Sequence, residues 1–592
     1  MSTSTPLEQV HWDLRDLLDG DGVERVEVLL DEGTERAERF AERYRGSLAS
    51  IDASGLREAM EELAAINDLV GRAGSYAGLR FSTDTADPER GALLQSVQER
   101  GTKLDTLLLF FELEWAALDD ARAEELLAGD GLDFCRHHLR TVRRYRPHLL
   151  SEPEETILAE KAITSNAAWT RLFDEQTGAI EVELEAPVTL DIALSRLQSP
   201  SRDVRLDTAE AVTRALEPGL RTRASIFNAL LVDKATDDRL RSFSSWLAAR
   251  NLSNEASDES VAALIAAVRG RYELPRRWYR LKAKLLGIDR LADYDRMAPL
   301  ASDDVEVPWS QAHELVLDAY GAFSPALGEL VERFFDERWI DAPPAPGKRG
   351  GAFCSGTVPS VHPYVLLNYT SRRRDVLTLA HELGHGVHFA LAASQGIFHQ
   401  DTPLTLAETA SVFGETLTLG RLLDASPTPA DRLALLGASI EDAIATVFRQ
   451  VAMNGFEDLV HRERRGSGEL SVARFGELWI ETQEELLGDA VEVTEGYRSW
   501  WSYIPHFIAS PGYVYAYAYG QLLALSVYER YLEEGPRFEE RYLELLSSGG
   551  SRSPEELGEI VGVDLRDPGF WDRGLDLLER RLVEAEAAAA EV

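Results

Sequence analysis

Three of the chain's twelve histidines fall within one short stretch, "TLAHELGHGVHFALAASQG", Thr378 to Gly396. His381, His385 and His388 sit there among Ala, Leu and Val, where unpaired polar rings are costly. The stretch reads as a helix, with Asp375 as N-cap and Gly396 as terminator. In such a helix His381 and His385 lie about 40° apart around the axis and about 6 Å apart along it, so both imidazoles can point at one ion. Glu382 follows the first His, where its carboxylate can reach a water at that ion without being a ligand. The pattern His381-Glu382-Leu383-Gly384-His385 is H-E-x-x-H, two zinc ligands and a general base. Chance yields only about 0.02 such matches in a chain of this composition, so the pattern signals chemistry. His388 lies on the same face about 4.5 Å further along, too far to complete the site, and is read either as an orienting hydrogen-bond partner or as packing.

Catalytic zinc takes three protein ligands and keeps a position for water. A third His six residues after His385 is absent, because that position is Leu391. A Glu on a following helix is the other common solution, and "PLTLAETASVFGETLTLG" offers Glu408, with Glu415 about two turns further on the same face. Thr405-x-x-Glu408 also matches a helix capping box. A site that lacks one ligand favours Glu408 as the metal ligand, and Glu415 then becomes the group that could orient a ligating His.

These groups need a frame, and the pattern supplies a mainly helical one. From about Val23 to Leu127 apolar residues recur three and four apart, between acids and Arg. "LSEPEETILAEKAITS" opens a helix with Ser151 as N-cap and Pro153 in the first turn. "GAIEVELEAPVTLDIAL" is a short β-like interlude, after which helices run from Ser201 to about Phe335. The Pro- and Gly-rich segment that follows reads as a loop and two strands, near Gly351–Ser355 and Tyr364–Tyr369, forming one small sheet before the histidine helix. The chain of 592 residues can bury a large core and suggests two or more lobes. Its net charge of −39 argues against nucleic acid and against anionic lipid as partners. Two cysteines without a CxxC, no leader-like pattern in the first twenty residues and no bilayer-length apolar run fit a cytoplasmic protein.

HELGH followed by "LAETASVFGE" resembles the M3 metallopeptidases, specifically their oligoendopeptidase F branch. "LLGIDRLADYDRMAPL", "WIDAPPAPGKRGGAFCSGT", "HPYVLLNY" and "WSYIPHFIASPGYVYAYAYGQ" are similar to that branch in the same order, and the likeness spans about Asp120 to Arg580. The resemblance implies two mostly helical lobes enclosing a deep substrate channel. It divides the chain into an N-terminal helical lobe (1–195) and a zinc peptidase catalytic domain (196–592). It also implies one Zn2+ per chain and hydrolysis of internal bonds in short, unstructured peptides.

On that reading, Zn2+ at His381, His385 and Glu408 activates water and polarises the scissile carbonyl, while Glu382 moves the proton. The family pattern places His506, Tyr513 and Tyr517 as the groups that stabilise the intermediate or position substrate. Taken alone, Tyr513, Tyr515, Tyr517 and Tyr519 alternate with period two, which reads as a half-buried strand with a structural tyrosine stripe. The family instead has a Gly-containing loop running into a helix near Gly520, where the wider family carries one more tyrosine. The strand containing Gly351, Ala352, Phe353 and Cys354 offers an edge to which an extended peptide can add. Cys354 itself reads as packing. Two other functions compete. One is an exopeptidase of dipeptidyl carboxypeptidase type, with Arg349 or Arg372–Arg374 anchoring a free carboxylate. The other is a silent peptide-binding protein, against which Glu382 counts.

Overall fold

The computed structural model describes residues 6–300 and 305–592 and is mainly helical, with seven short strands in three small sheets among those residues. Residues 1–5, part of the stretch read as leader-free, lie outside the described residues. No helix of the described residues is long and apolar enough to cross a membrane. The chain divides into two compact units that each use three separate segments: 1–146, 304–425 and 527–564 form the first, and 147–303, 426–526 and 565–592 the second.

In the first unit, long helices run over Glu24–Tyr44, Ala53–Ser82 and Pro88–Ala117, and the second and third start where a carboxylate caps free N–H groups. Asp52 accepts from the Gly55 N–H, and Asp87 accepts from the Glu89 N–H just ahead of Pro88. Their apolar faces meet in a core around Phe40, Met60, Phe110, Phe111 and Trp115. Trp115 stays fully buried because its indole N–H donates to the Leu139 carbonyl at 2.8 Å.

The strands are β1 (Glu181–Glu183), β2 (Pro187–Thr189), β3 (Leu291–Ala292), β4 (Ile340–Asp341), β5 (Phe353–Ser355), β6 (Tyr364–Leu366) and β7 (Val491–Glu492). β1 pairs with β2 antiparallel, and β3 pairs with β7 in parallel. The sheet before the histidine helix has the order β4-β6-β5, which makes β5 an edge. The expectation of one sheet is therefore corrected to three. The β3–β7 pair is only two residues long and joins segments two hundred positions apart, too short and too remote to leave a periodic signal.

The histidine helix spans Arg373–Ala392, and the next long helix spans Leu404–Asp424. Asp375 does cap, but from the third helical position: its carboxylate accepts from the Arg372 and Thr370 N–H groups. Gly396 ends the turn that follows, with φ of 77°. The second helix starts after Pro403 with no side-chain cap, and Thr405 is buried within it, so the capping-box alternative for Glu408 fails.

These two helices touch backbone to backbone at Gly384. A Cβ there would lie 2.4 Å from the Ala410 carbonyl oxygen and 2.5 Å from the Ser411 Cα. One turn on, Gly414 makes room for Tyr320, whose hydroxyl donates to the Ala380 carbonyl at 2.7 Å. The second unit is built around a different, aromatic core of Phe227, Phe456, Phe475, Trp479, Trp501 and Phe507.

Gly384→Ala is a direct test of that approach. Ala gains about 1 kcal/mol of helix propensity over Gly. The new methyl meets fixed backbone on the facing helix, however, and overpacking of this kind costs about 1–3 kcal/mol. The expected result is a lower melting temperature together with weaker metal retention; an equally stable variant would show that the helices are not in contact there.

Candidate metal centre

His381 and His385 project from one face of their helix with ring centroids 5.0 Å apart and planes at 78°. Glu408, on the facing helix, brings its Oε2 to 3.3 Å from His381 Nε2 and 3.6 Å from His385 Nε2. One ligand atom from each residue lies within 4.8 Å of the others, and among the described residues this is the one such group of His, Cys, Asp and Glu. Two imidazole nitrogens and a carboxylate oxygen converging on a point are a donor set that suits zinc.

Each ligand is oriented from behind. His381 Nδ1 lies 3.1 Å from Glu415 Oε2, so the ring donates there and turns the Nε2 lone pair to the centre. A ring N–H of His385 bonds to the Ala407 carbonyl. The Ser411 hydroxyl donates to Glu408 Oε2 at 2.6 Å. Ser411 and Ala407 were not legible as site residues, although Ser411 lies one turn after Glu408 and that spacing could have signalled it.

The charges of the centre call for a cation. Burial opposes a charge on His381, yet its bond to Glu415 and the fields of Glu408 and Glu415 lift the imidazole to about 9. Burial lowers His385 to about 4. Burial also pushes on Glu408, but the two imidazoles and the Ser411 hydroxyl outweigh it and hold the carboxyl below its ordinary value. The cluster thus retains one proton on His381 where a metal ion would place its own charge.

Glu382 is 8% exposed. Burial raises its carboxyl to about 7, although the His381 charge and the Cys354 backbone N–H pull the other way. Burial keeps the Cys354 thiol protonated, well above its ordinary range, so it is no nucleophile. His388 is buried and held neutral, with burial lowering it to about 3. In β5 and the loop before it, Gly351 has φ of 79° and its carbonyl, with that of Arg349, accepts from the Asn368 amide. The Arg349 guanidinium lies 5.3 Å from the centre of the Phe353 ring.

His506, Tyr513 and Tyr517 form a second cluster, in the second unit. Their ring centroids are 5.1–5.9 Å apart, and His506 Nε2 lies 3.1 Å from the Tyr517 hydroxyl. Phe507 anchors His506 by packing against Phe456 and Phe227. The strand reading of this stretch is corrected: a helix runs over Tyr515–Glu534, beginning earlier than the position near Gly520. On a helix, period two splits the tyrosines. Tyr515 and Tyr519, four apart, are fully buried, bonded to Asn254 and Ser260, while Tyr517 turns to the other side.

The sequence pattern of Peptidase family M3 matches residues 324–577, and that of Oligopeptidase F matches residues 114–181. The chain belongs to peptidase family M3. Within the family it is similar to oligopeptidase PepF of Bacillus subtilis, 26% identical over 92% of this chain and 82% of that one. Group B oligopeptidase PepB of Streptococcus agalactiae is 27% identical over 98% of both. Its fold is that of M3 peptidases. A peptidase structure from Chlamydophila abortus superposes with a TM-score of 0.86 at 23% identity, covering 99% of this chain and 100% of the other. Oligoendopeptidase-F from Enterococcus faecium gives 0.74 at 22%, covering 96% and 99%. This M3 chain is a metallopeptidase of the oligopeptidase F branch, with His381, His385 and Glu408 as its candidate metal site.

Glu415→Ala tests the orientation from behind. No ligand is removed, but the His381 ring loses its fixed tautomer, and metal affinity should fall by about 10–100-fold in chelator competition. Unchanged affinity would show that Glu415 does not hold the ring.

Proposed function

We propose that this M3 peptidase is a zinc-dependent oligoendopeptidase that hydrolyses internal bonds of short, unstructured peptides. The observation that carries the reading is the convergence of His381 Nε2, His385 Nε2 and a Glu408 oxygen beside a buried carboxylate, Glu382, that ligates nothing. One Zn2+ per chain, bound at those three residues, supplies Lewis acidity that readies water for attack and polarises a carbonyl.

The chain's own residues do the rest. Glu382 takes a proton from the attacking water at its carboxylate and passes it to the leaving amine. Its burial supports this, because a carboxyl raised to about 7 exchanges protons near neutral pH. Tyr517 is assigned as oxyanion donor, with His506 fixing its hydroxyl and Tyr513 positioning substrate. His506 is a neutral partner, since burial lowers its basicity.

The sheet edge supports a sequence-tolerant grip. Val365 donates to the Trp339 carbonyl just before β4 and Leu367 to that of Asp341 within it, so Tyr364 and Leu366 turn to β5, where Phe353 and Ser355 meet them. The Cys354 carbonyl then faces the free side of the sheet, while its N–H is turned to Glu382. An extended peptide adding along Gly351–Cys354 gains main-chain bonds whatever its side chains are, and lies beside Glu382. A folded protein must first open locally to supply such a segment, at a cost of up to its global stability, about 5–15 kcal/mol. The division into a helical module to residue 195 and a catalytic module beyond it remains part of this reading.

Peptides of graded length, blocked at both ends, should be cleaved internally by the wild type, with products read by mass. A stable folded protein should resist. Cleavage restricted to free C-termini would favour the dipeptidyl carboxypeptidase reading, in which exposed Arg349 anchors the carboxylate. Glu382→Gln should keep its metal and lose about 10²–10⁴-fold in turnover, and Tyr517→Phe about 10²–10³-fold in kcat. Full activity in Glu382→Gln would remove the general base from the account.

A further inference from the structure

The turn that leads into Tyr513 and Tyr517 is held by a buried carboxyl group. Glu457 lies on the helix Arg449–Ser467 with no exposed surface at all. Its Oε1 accepts the Gly512 N–H at 2.9 Å, and its Oε2 is buried without a partner. Gly512 is the pivot of the turn. Its φ is 73°, and a Cβ would lie 2.6 Å from Leu247 Cδ1, so the turn presses its backbone against that side chain.

Arg250 closes the same turn from the other side. Its Nε donates to the Pro511 carbonyl at 3.4 Å, and its guanidinium lies 5.7 Å from the centre of the Tyr513 ring. Trp246, next to Leu247, donates to Asp458 at 2.9 Å and stacks on His461 with ring centroids 4.4 Å apart. The socket therefore comes from the segment 246–250 and from consecutive turns of one helix. Within the turn, Ser510 and Tyr513 are joined by an N–H to carbonyl bond of 3.1 Å, and the next bond, Ala516 to Tyr513, starts the helix that carries Tyr517.

We propose that Glu457 is a positioning residue for catalysis: through the Gly512 N–H its buried carboxyl fixes the Ser510–Tyr513 turn and so sets Tyr513 and Tyr517 beside His506. The inference rests on the reading of Tyr517 and its neighbours as catalytic groups. A carboxyl is an expensive occupant for such a place, and a turn N–H that faces the interior needs an acceptor. Burial raises Glu457 to about 8, so near neutral pH it serves as a neutral acid whose carbonyl oxygen accepts. A glutamine offers the same acceptor without charge, whereas a leucine of similar volume offers none.

The experiment compares Glu457→Gln, Glu457→Asp and Glu457→Leu in the full chain loaded with zinc. Three readouts are taken: metal content, kcat and KM on an internally quenched blocked peptide, and hydrogen exchange over residues 508–517. Glu457→Gln should stay within about three-fold of wild type. Glu457→Leu should lose about 10–100-fold in kcat, because misplacing a catalytic group by about 1 Å costs that much. KM and zinc content should hold, and exchange should rise in residues 508–517 alone. Glu457→Asp retains a carboxyl but withdraws it from Gly512, and should behave like the leucine variant even if the latter fails to fold. The proposal is overturned if exchange at the turn is unchanged in Glu457→Asp, or if Glu457→Gln is as impaired as Glu457→Asp. Tyr517→Phe, assayed alongside, separates the two levels. Loosened exchange with normal kcat in both Glu457→Asp and Tyr517→Phe would retain the turn contact, reject its catalytic role and refute the assignment of Tyr517.

Discussion

The metal centre depends on the contact between two helix backbones at Gly384. The two His-bearing turns are local and could form on any amphipathic helix, but the third ligand comes from another helix. Glu408 reaches the imidazoles because the peptide planes of Ala410 and Ser411 lie where a side chain at position 384 would have to be. That approach also brings Glu415 behind His381 and the Ala407 carbonyl behind His385. One small residue in the middle of the motif thus determines the ligand set, its orientation and its charge balance.

Electrostatics follow from that packing. Three carboxylates, Glu382, Glu408 and Glu415, surround two imidazoles in a partly buried setting where charge is poorly screened. The protein meets this by holding a proton on His381 and by raising Glu382 toward neutrality. A divalent ion resolves the same imbalance more completely, which is why the donor set and the pKa pattern point the same way. Half-buried Cys354 stays a neutral thiol beside the centre, in the strand at the sheet edge.

Much of the site was legible because its spacing is helical and local. His381 and His385, four apart on one helix, and Glu408 and Glu415, seven apart on the next, stand at intervals that a 3.6-residue period places on common faces, and Glu382 falls within the H-E-x-x-H pattern. What was not legible was set by contacts remote in sequence. The tyrosine alternation from Tyr513 to Tyr519 mimics a strand, and only the partners of Tyr515 and Tyr519, Asn254 and Ser260, show why the spacing suits a helix here. Asp375 was legible as a capping group but not its register, since the Thr370 and Arg372 N–H groups it serves precede the helix. The β3–β7 pair and Glu457 have no periodic signature at all; a lone Glu in "NGFEDLVH" looks like any solvated helix acid until its surroundings are known.

The central claim is that two imidazoles and one carboxylate of this chain hold a single zinc ion. X-ray absorption at the zinc edge, on protein whose metal has been quantified per chain, measures this most directly. The account predicts one zinc per chain with only nitrogen and oxygen ligands at about 2.0–2.2 Å, two of them imidazole, and loss of one imidazole in His385→Ala. A sulfur ligand near 2.3 Å, or a fully active chain without stoichiometric transition metal, would contradict it.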